Sequence, residues 1–346
     1  MRAVLRLWRH FSPRRGAVRA TLISIFLVGL TAACNKDAPQ NFLRPEGPIA
    51  TGQHKLWNIT FGIAVVIFFL VEGALVFATI KFRQRTSRDA PKQTHGNNKL
   101  EIGWTLAPAV LLALLAIPTV QGVFSLAEAP GKDALNVEVL AKQWWWQYTY
   151  EESGVVTANE LHIPVGRTVY LALKSEDVIH SFWVPKLAGK QDVVPGRVNK
   201  LKIEAEKPGT YKGQCVEYCG LSHANMKLLV IAHEESEFQD WLEAQKEEAP
   251  QPSGGLAADG QKLFLEGACA GCHAVGGTAA QATLAPNLTH FASRTTFAGS
   301  MYENNEANLV KWLKDPPGRK PGSKMPDLNL SDDEIEALVA YLQSLK

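Results

Sequence analysis

Between Cys215 and Met226 the chain reads CVEYCGLSHANM, which gathers two thiols, an imidazole and a thioether within twelve residues. Thiolate and thioether sulfur are soft donors and imidazole suits the same metals, so Cys215, Cys219, His223 and Met226 form a ligand set for copper that no oxygen-seeking cation wants. Spacings of four, four and three would also line these residues along one face of a helix. Gly213 and Gly220, with the strand-like flanks TYKGQ and KLLVIA, argue instead for a loop between two strands. A second cluster is CAGCH, Cys269 to His273. C-x-x-C-H is the attachment pattern of haem c, with Cys269 and Cys272 available for thioethers to the vinyl groups and His273 for the iron. A redox dithiol would sit in a βαβ pattern, which is not seen here, and a zinc site would want a second pair of ligands.

The order C-x-x-x-C-x-x-x-H-x-x-M, with HSFWVP at His180 to Pro185, resembles the dinuclear copper (CuA) domain of cytochrome c oxidase subunit II. The resemblance implies that Cys215 and Cys219 bridge two coppers, that His180 and His223 cap one each, that Met226 binds one, and that the backbone carbonyl of Glu217 binds the other. It also implies that the Glu217 side chain can reach a magnesium or manganese ion at a subunit interface. The match continues through Asp192 and Pro195 to Arg197. QWWWQYTY resembles the family's aromatic strand, in which the first tryptophan after the glutamine receives electrons at the surface; that position is Trp144. On residue type alone a tryptophan packs in a core, and alternation along a strand buries one set of rings and exposes the other.

These groups need a scaffold that holds them still. Residues 133–246 consist of short β-rich runs (NVEVLAKQWWWQYTY, TVYLALKS, VNKLKIEA, LLVIAH) broken by PVG, VPG and KPG turns, the pattern of an all-β Greek-key sandwich, cupredoxin-like by the resemblance. Phe238, Trp241 and Leu242 follow at helical spacing. Residues 247–256, with EEAPQPSGG, read as a flexible linker, and residues 257–346 as an all-α cytochrome c domain. Within that domain Met325, in PGSKMPDL just ahead of the capping box Ser331 to Glu334, stands where class I cytochromes c place their second axial ligand; Met301 is the alternative. Pro286 in APNL resembles the proline that such cytochromes set beside the haem histidine.

The N-terminal part is organised for a membrane. Residues 1–33 carry six arginines and then the apolar run ATLISIFLVGLTAA, too short to span, and read as a signal peptide. LTAAC resembles a lipoprotein box around Cys34, with Thr31 where an aliphatic residue is usual, so lipidation stays open. Within residues 50–130, Leu56 to Ile80 and Trp104 to Phe124 are each long enough to span, and predict a transmembrane helical hairpin. Lys81, Arg83, Arg85, Arg88, Lys92 and Lys99 oppose only Asp89 in the loop between, which puts that loop in the cytoplasm of a bacterial plasma membrane and everything after residue 125 outside. Pro108 and Pro118 are tolerated in a span that neighbours cover, and Glu72 should face protein rather than lipid. Glu101, in KLEIGWTLAP, reads on its own as an interfacial carboxylate; the resemblance implies that it opens a proton path into the catalytic subunit.

A chain of 346 residues has room for two or three domains, and 46% hydrophobic content with a net charge of +2 marks neither a nucleic-acid binder nor an enzyme for acidic substrates. The five cysteines are all placed, with none left for a structural disulfide. Taken together, the resemblance implies the electron-receiving subunit of a proton-translocating cytochrome c oxidase. Electrons from a soluble or membrane cytochrome c would pass through haem c and CuA to subunit I, where oxygen is reduced, with subunit III a further partner. The corresponding subunit of a nitric oxide reductase remains open, because the discriminating residues lie in the partner. Nitrous oxide reductase needs more histidines than the nine here, and the hairpin disfavours a non-catalytic metal carrier. A tether raises the effective donor concentration to roughly millimolar, so the haem domain is expected to dock weakly at Trp144 and to swing out for recharging.

Overall fold

The computed structural model describes Ser24 and residues 38–83, 93, 95–129 and 131–346. Apart from Ser24, the expected signal peptide 1–33 lies outside the described residues, as do Cys34 and most of the basic loop.

Helix α1, Pro48–Lys81, begins with a proline that needs no amide partner in the first turn, and α2, Asn98–Ala127, is capped by the Asn97 side chain accepting from the Lys99 and Leu100 amides. At 1.5 Å per residue the 34 residues of α1 extend for about 50 Å, more than the roughly 30 Å of hydrocarbon. The surplus reaches the following domain. The amides of Glu46 and Ala50 donate to the carbonyls of Lys186 and Leu187 at 2.8 and 3.2 Å, and Lys202 Nζ donates to the Ser125 carbonyl at 3.0 Å. The start of α1 and the end of α2 are thus both fastened to that domain. Leu70, Phe77, Leu112 and Phe124 are exposed on the two helices, as lipid contact requires. Glu72 is exposed as well, with none of the described residues covering it.

Ten strands follow: β1 Leu135–Lys142, β2 Trp145–Tyr150, β3 Val156–Ala158, β4 Glu160–Pro164, β5 Val169–Ser175, β6 His180–Trp183, β7 Gln191–Val193, β8 Asn199–Ile203, β9 Gly209–Cys215 and β10 Lys227–His233. They form two five-stranded sheets, ordered β3-β2-β1-β5-β8 and β4-β10-β9-β6-β7. Alternation along β1, β2 and β5 sends Val137, Val139, Trp146, Tyr148, Leu171 and Leu173 inward to meet Leu161, Phe182, Leu228 and Val230 of the other sheet. Each fully buried aliphatic or phenyl side chain contributes about 1.5–3 kcal/mol of apolar burial, so this is a stiff support for a site at its end. Helix α3, Glu235–Ala244, adds Phe238, Trp241 and Leu242 to the same core.

The aromatic run is not one strand. The chain turns at Gln143 and Trp144 so that Lys142 pairs with Trp145, and Trp144 stands at the tip of the β1–β2 hairpin. QWWWQYTY contains none of the glycine, proline or asparagine that announces a turn. The tip is held from outside instead, by contacts described below.

The C-terminal part is built on α4, Gly255–Glu266, α5, Glu306–Lys314, the short α6, Pro316–Arg319, and α7, Asp332–Ser344, with a small hairpin of Thr296–Phe297 and Tyr302–Glu303. Gly260 lets α4 cross α7 closely, because a Cβ there would collide with the Ala337 carbonyl and with Tyr341. The expected capping box closes α7, the Ser331 hydroxyl accepting from the Glu334 amide and the Glu334 carboxylate from the Ser331 amide. The linker is less free than its composition suggests. The Glu247 carbonyl accepts from His290 Nε2 at 3.0 Å, the Ala249 amide donates to Gly276 at 3.2 Å, and α4 already starts at Gly255.

Candidate copper and haem centres

Strand β9 ends at Cys215 and β10 begins at Lys227, so the segment from Cys215 to Met226 is a loop between antiparallel strands. Its ends are pinned by the Cys215 amide donating to the Met226 carbonyl at 2.9 Å. Strand β6 runs antiparallel beside β9, with Phe182 opposite Cys215, and this register brings His180, 35 residues away in sequence, to the loop. His180 Nδ1 lies 3.9 Å from Cys215 Sγ, which lies 3.8 Å from Cys219 Sγ. Cys219 Sγ is in turn 3.6 Å from His223 Nδ1 and 3.9 Å from Met226 Sδ, and the Glu217 carbonyl is 3.3 Å from Cys215 Sγ. All six groups singled out in the sequence thus converge. Two sulfurs 3.8 Å apart are far beyond a disulfide bond of about 2.05 Å, and have the separation of ligands that each stand about 2.3 Å from a shared ion.

The charges point the same way. The hydrogen bond shared with Cys219, aided by His180 and opposed by burial, holds Cys215 far below an ordinary thiol; the same bond, with burial, pushes Cys219 far above. The pair therefore gives up one proton easily and keeps the other until cations displace it. His180 is fully buried, and burial alone would lower its pKa; the Asp177 carboxylate, 2.8 Å from Nε2, and Cys215 raise it. Burial would likewise raise Asp177, but hydrogen bonds from His180 and from the Gln143 and Val178 amides bring it down to about 2. A carboxylate on one ring nitrogen leaves the other aimed at the thiolates with its orientation fixed, the arrangement that supports metal-bound histidines.

Trp144 hangs over this loop. Its indole N–H donates to the Cys219 carbonyl at 3.0 Å, and Gln143 Nε2 donates to the same oxygen at 2.7 Å. Gly220, at φ +113°, is left-handed, and a Cβ there would sit 3.0 Å from the indole ring. The ring is not open to solvent: Trp144 is 8% exposed. The cover is Pro321 to Lys324, the residues just before Met325. A Cβ on Gly322 would lie 2.6 Å from the indole edge, the Pro321 carbonyl accepts from Ser222 Oγ at 2.6 Å, and Lys324 Nζ is 3.7 Å from Asp177.

In CAGCH the first three residues from Cys269 form a 3₁₀ turn, and His273 Nδ1 lies 2.7 Å from the Pro286 carbonyl. A carbonyl only accepts, so Nδ1 carries the proton and Nε2 keeps its lone pair for a metal. Burial lowers the pKa of His273, which keeps the ring neutral as a ligand must be. Met325 packs against the core of this part of the chain, while Met301 lies in the small hairpin with its amide on Phe297. Glu101 is exposed in the first turn of α2, and Glu217 presents an exposed side chain beside its inward carbonyl.

Sequence reasoning missed Asp177, Gln143, Ser222 and Lys320, which touch the site or Trp144 above it, and Glu160, which bonds Thr295 and Thr296 of the C-terminal part. A carboxylate three residues before the histidine, in EDVIH, was a readable signal for Asp177. The others are brought in only by folding.

Two bilayer-length helices, a β-sandwich with a soft-ligand cluster at one end and a helical C-x-x-C-H part define a membrane-anchored redox protein. Family models match at residues 36–121 (cytochrome c oxidase subunit II, transmembrane domain), 151–233 (its periplasmic domain) and 257–346 (cytochrome c). The chain belongs to the cytochrome c oxidase subunit II family, and carries a C-terminal cytochrome c domain. It is 38% identical to cytochrome c oxidase subunit 2 of Alkalihalophilus pseudofirmus over 99% of both chains, and 37% identical to that of Bacillus subtilis over 95% of this chain and 98% of the other. The crystal structure of the periplasmic domain of subunit II of the cytochrome oxidase of Bradyrhizobium japonicum covers 34% of this chain and 97% of its own, at 31% identity and a TM-score of 0.33. This chain is accordingly a membrane-bound electron-transfer subunit of a haem-copper oxidase, an oxidoreductase complex, with CuA and haem as the groups that its domains imply.

Proposed function

We propose that the chain carries single electrons from a cytochrome c donor through its own haem domain to the Cys215–Met226 loop and on to subunit I, with Trp144 as the crossing point. One observation carries this reading: the segment that leads into Met325 is packed on the Trp144 ring, whose indole N–H bonds the carbonyl of Cys219. Haem c held by Cys269, Cys272, His273 and Met325, and a copper pair held by His180, Cys215, Glu217, Cys219, His223 and Met226, would supply the two redox centres. The protein's part is to hold the ligands still and exclude water: Asp177 orients His180, the β9–β10 pairing fixes the loop ends, and Trp144 fills the space between the two parts. Preorganised ligands move little when charge arrives, which keeps transfer fast. In this reading the exposed Glu217 carboxylate serves a magnesium or manganese ion at a subunit interface, and Glu101 takes up protons for a proton-translocating partner. Subunit III is a further partner in this reading.

The loop between α1 and α2 is assigned to the cytoplasm and residues after 125 to the outside. Protease added outside spheroplasts should cut after residue 125 and spare the loop from Lys81 to Lys99. The route itself is tested by Trp144→Ala in the assembled oxidase. Flash-induced haem-to-copper transfer should slow while both spectra persist; equal slowing by Trp145→Ala, or none by Trp144→Ala, defeats the route. Met325→Leu should keep the haem attached and lower its potential, whereas a loss seen with Met301→Leu instead would move the ligand there.

A further inference from the structure

The haem domain touches the sandwich through buried polar groups that neither redox site needs. Glu160, at the start of β4 and 1% exposed, accepts four hydrogen bonds from two consecutive residues: the amide and hydroxyl of Thr295 at 3.1 and 2.6 Å, and those of Thr296 at 2.7 Å each. Lys320, 4% exposed, crosses in the other direction, its ammonium donating to the Trp144 carbonyl at 2.6 Å and to Ala298 of its own domain at 2.8 Å. A backbone bond lies between these two points, the Lys227 amide donating to the Gly299 carbonyl at 3.0 Å.

A carboxylate and an ammonium buried this deeply are expensive to leave unpaired. Undocking strips the Glu160 carboxylate of four donors and the Lys320 ammonium of one of its two acceptors, and water must refill both pockets. That is unlike an encounter surface, where charges stay at a wet rim and little is lost on parting. The contacts are made at three separate points of the sandwich, Glu160, Lys227 and Trp144, which opposes rocking as well as separation. We propose that Glu160 and Lys320 are positioning residues that keep the haem domain permanently seated on the sandwich, so that electrons cross a fixed interface and the external donor reduces the domain where it sits. This replaces the expectation of a weakly docked domain that swings out, and it rests on the proposed crossing at Trp144 for its role in electron transfer. Because the Trp144 ring is covered, a soluble donor then has no direct route to the copper loop at that point.

Two measurements on the assembled oxidase decide it. Hydrogen exchange of the wild type should show the amides of Thr295, Thr296 and Lys227 protected to the level of amides within the sandwich strands; exchange as fast as in exposed loops overturns the proposal whatever any variant does. Haem-to-copper transfer should be independent of added glycerol in the wild type. In Glu160→Ala with Lys320→Met it should fall several-fold and become viscosity-dependent, with haem and copper spectra and potentials unchanged. Glu160→Gln, which keeps an accepting oxygen, should restore part of the rate that Glu160→Ala loses. A wild-type rate that drops with viscosity, or a double variant as fast and as viscosity-independent as the wild type, overturns it. If Trp144→Ala leaves transfer unchanged while the interface amides stay protected, the crossing point is wrong and the seating stands.

Discussion

The two ends of the sandwich each bury a histidine, and they treat it in opposite ways. At one end His180 faces Cys215 with the Asp177 carboxylate behind it, and its pKa is raised in spite of burial. At the other, in β4, His162 lies flat on Trp241, with ring centroids 4.1 Å apart, and shares a hydrogen bond of 2.8 Å with His233. Burial lowers its pKa far below 6.5, and His233 and Arg294 add to the effect. Low dielectric alone always favours the neutral ring. Of these two histidines only the one with a carboxylate built in behind it supports positive charge, and that is the end proposed to hold the coppers.

The contrast breaks most completely at the thiols. Cys219→Ser should leave at most one copper and abolish the two-copper electron spin resonance signal, whereas His162→Phe should leave that signal intact; a surviving signal in Cys219→Ser would show that the ligand set is misassigned. A smaller effect is expected behind the ligand. Asp177→Asn keeps the shape but removes the charge, and should weaken copper retention by about 10- to 100-fold in competition with a chelator, as loss of a histidine's supporting carboxylate does. Retention equal to wild type would mean that Asp177 serves only the hairpin tip through Gln143.

The smallest effect is on stability against pH. His162 is held below 6.5, so as pH falls through 6.5 the unfolded chain takes up a proton that the folded chain refuses. Its contribution is therefore full above that value and is lost on acidification, by at most about 1.4 kcal/mol per pH unit for one group. His180 in the metal-free protein runs the other way, its contribution present below 6.5 and lost as pH rises through its raised value. Denaturant midpoints of the metal-free protein between about pH 4 and 6.5 should fall less steeply for His162→Phe than for wild type. An unchanged slope would show that His162 is not the group that refuses the proton.

What the sequence determined by itself is local or periodic. Spacing within CVEYCGLSHANM and CAGCH names the ligand types, alternation separates the sandwich from the helices, and two runs of apolar residues announce the hairpin. Each of these signals is contained in a few consecutive residues, because a metal reads donor atoms and a solvent boundary reads polarity. What the tertiary structure alone decided is which distant groups meet. The register of β6 on β9 brings His180 to the cysteines, and the fold adds the amide of the distant Gln143 to Asp177, the carboxylate behind it. Trp144 was legible as a special aromatic but not as a hairpin tip, since nothing in QWWWQ breaks a strand and the turn is held by Asp177, Cys219 and Lys320. Glu160 and Lys320 had no signal at all. A charged side chain in a sequence is by default a solvated one, and these two lose their water only when another part of the chain, more than a hundred residues away in sequence, closes over them.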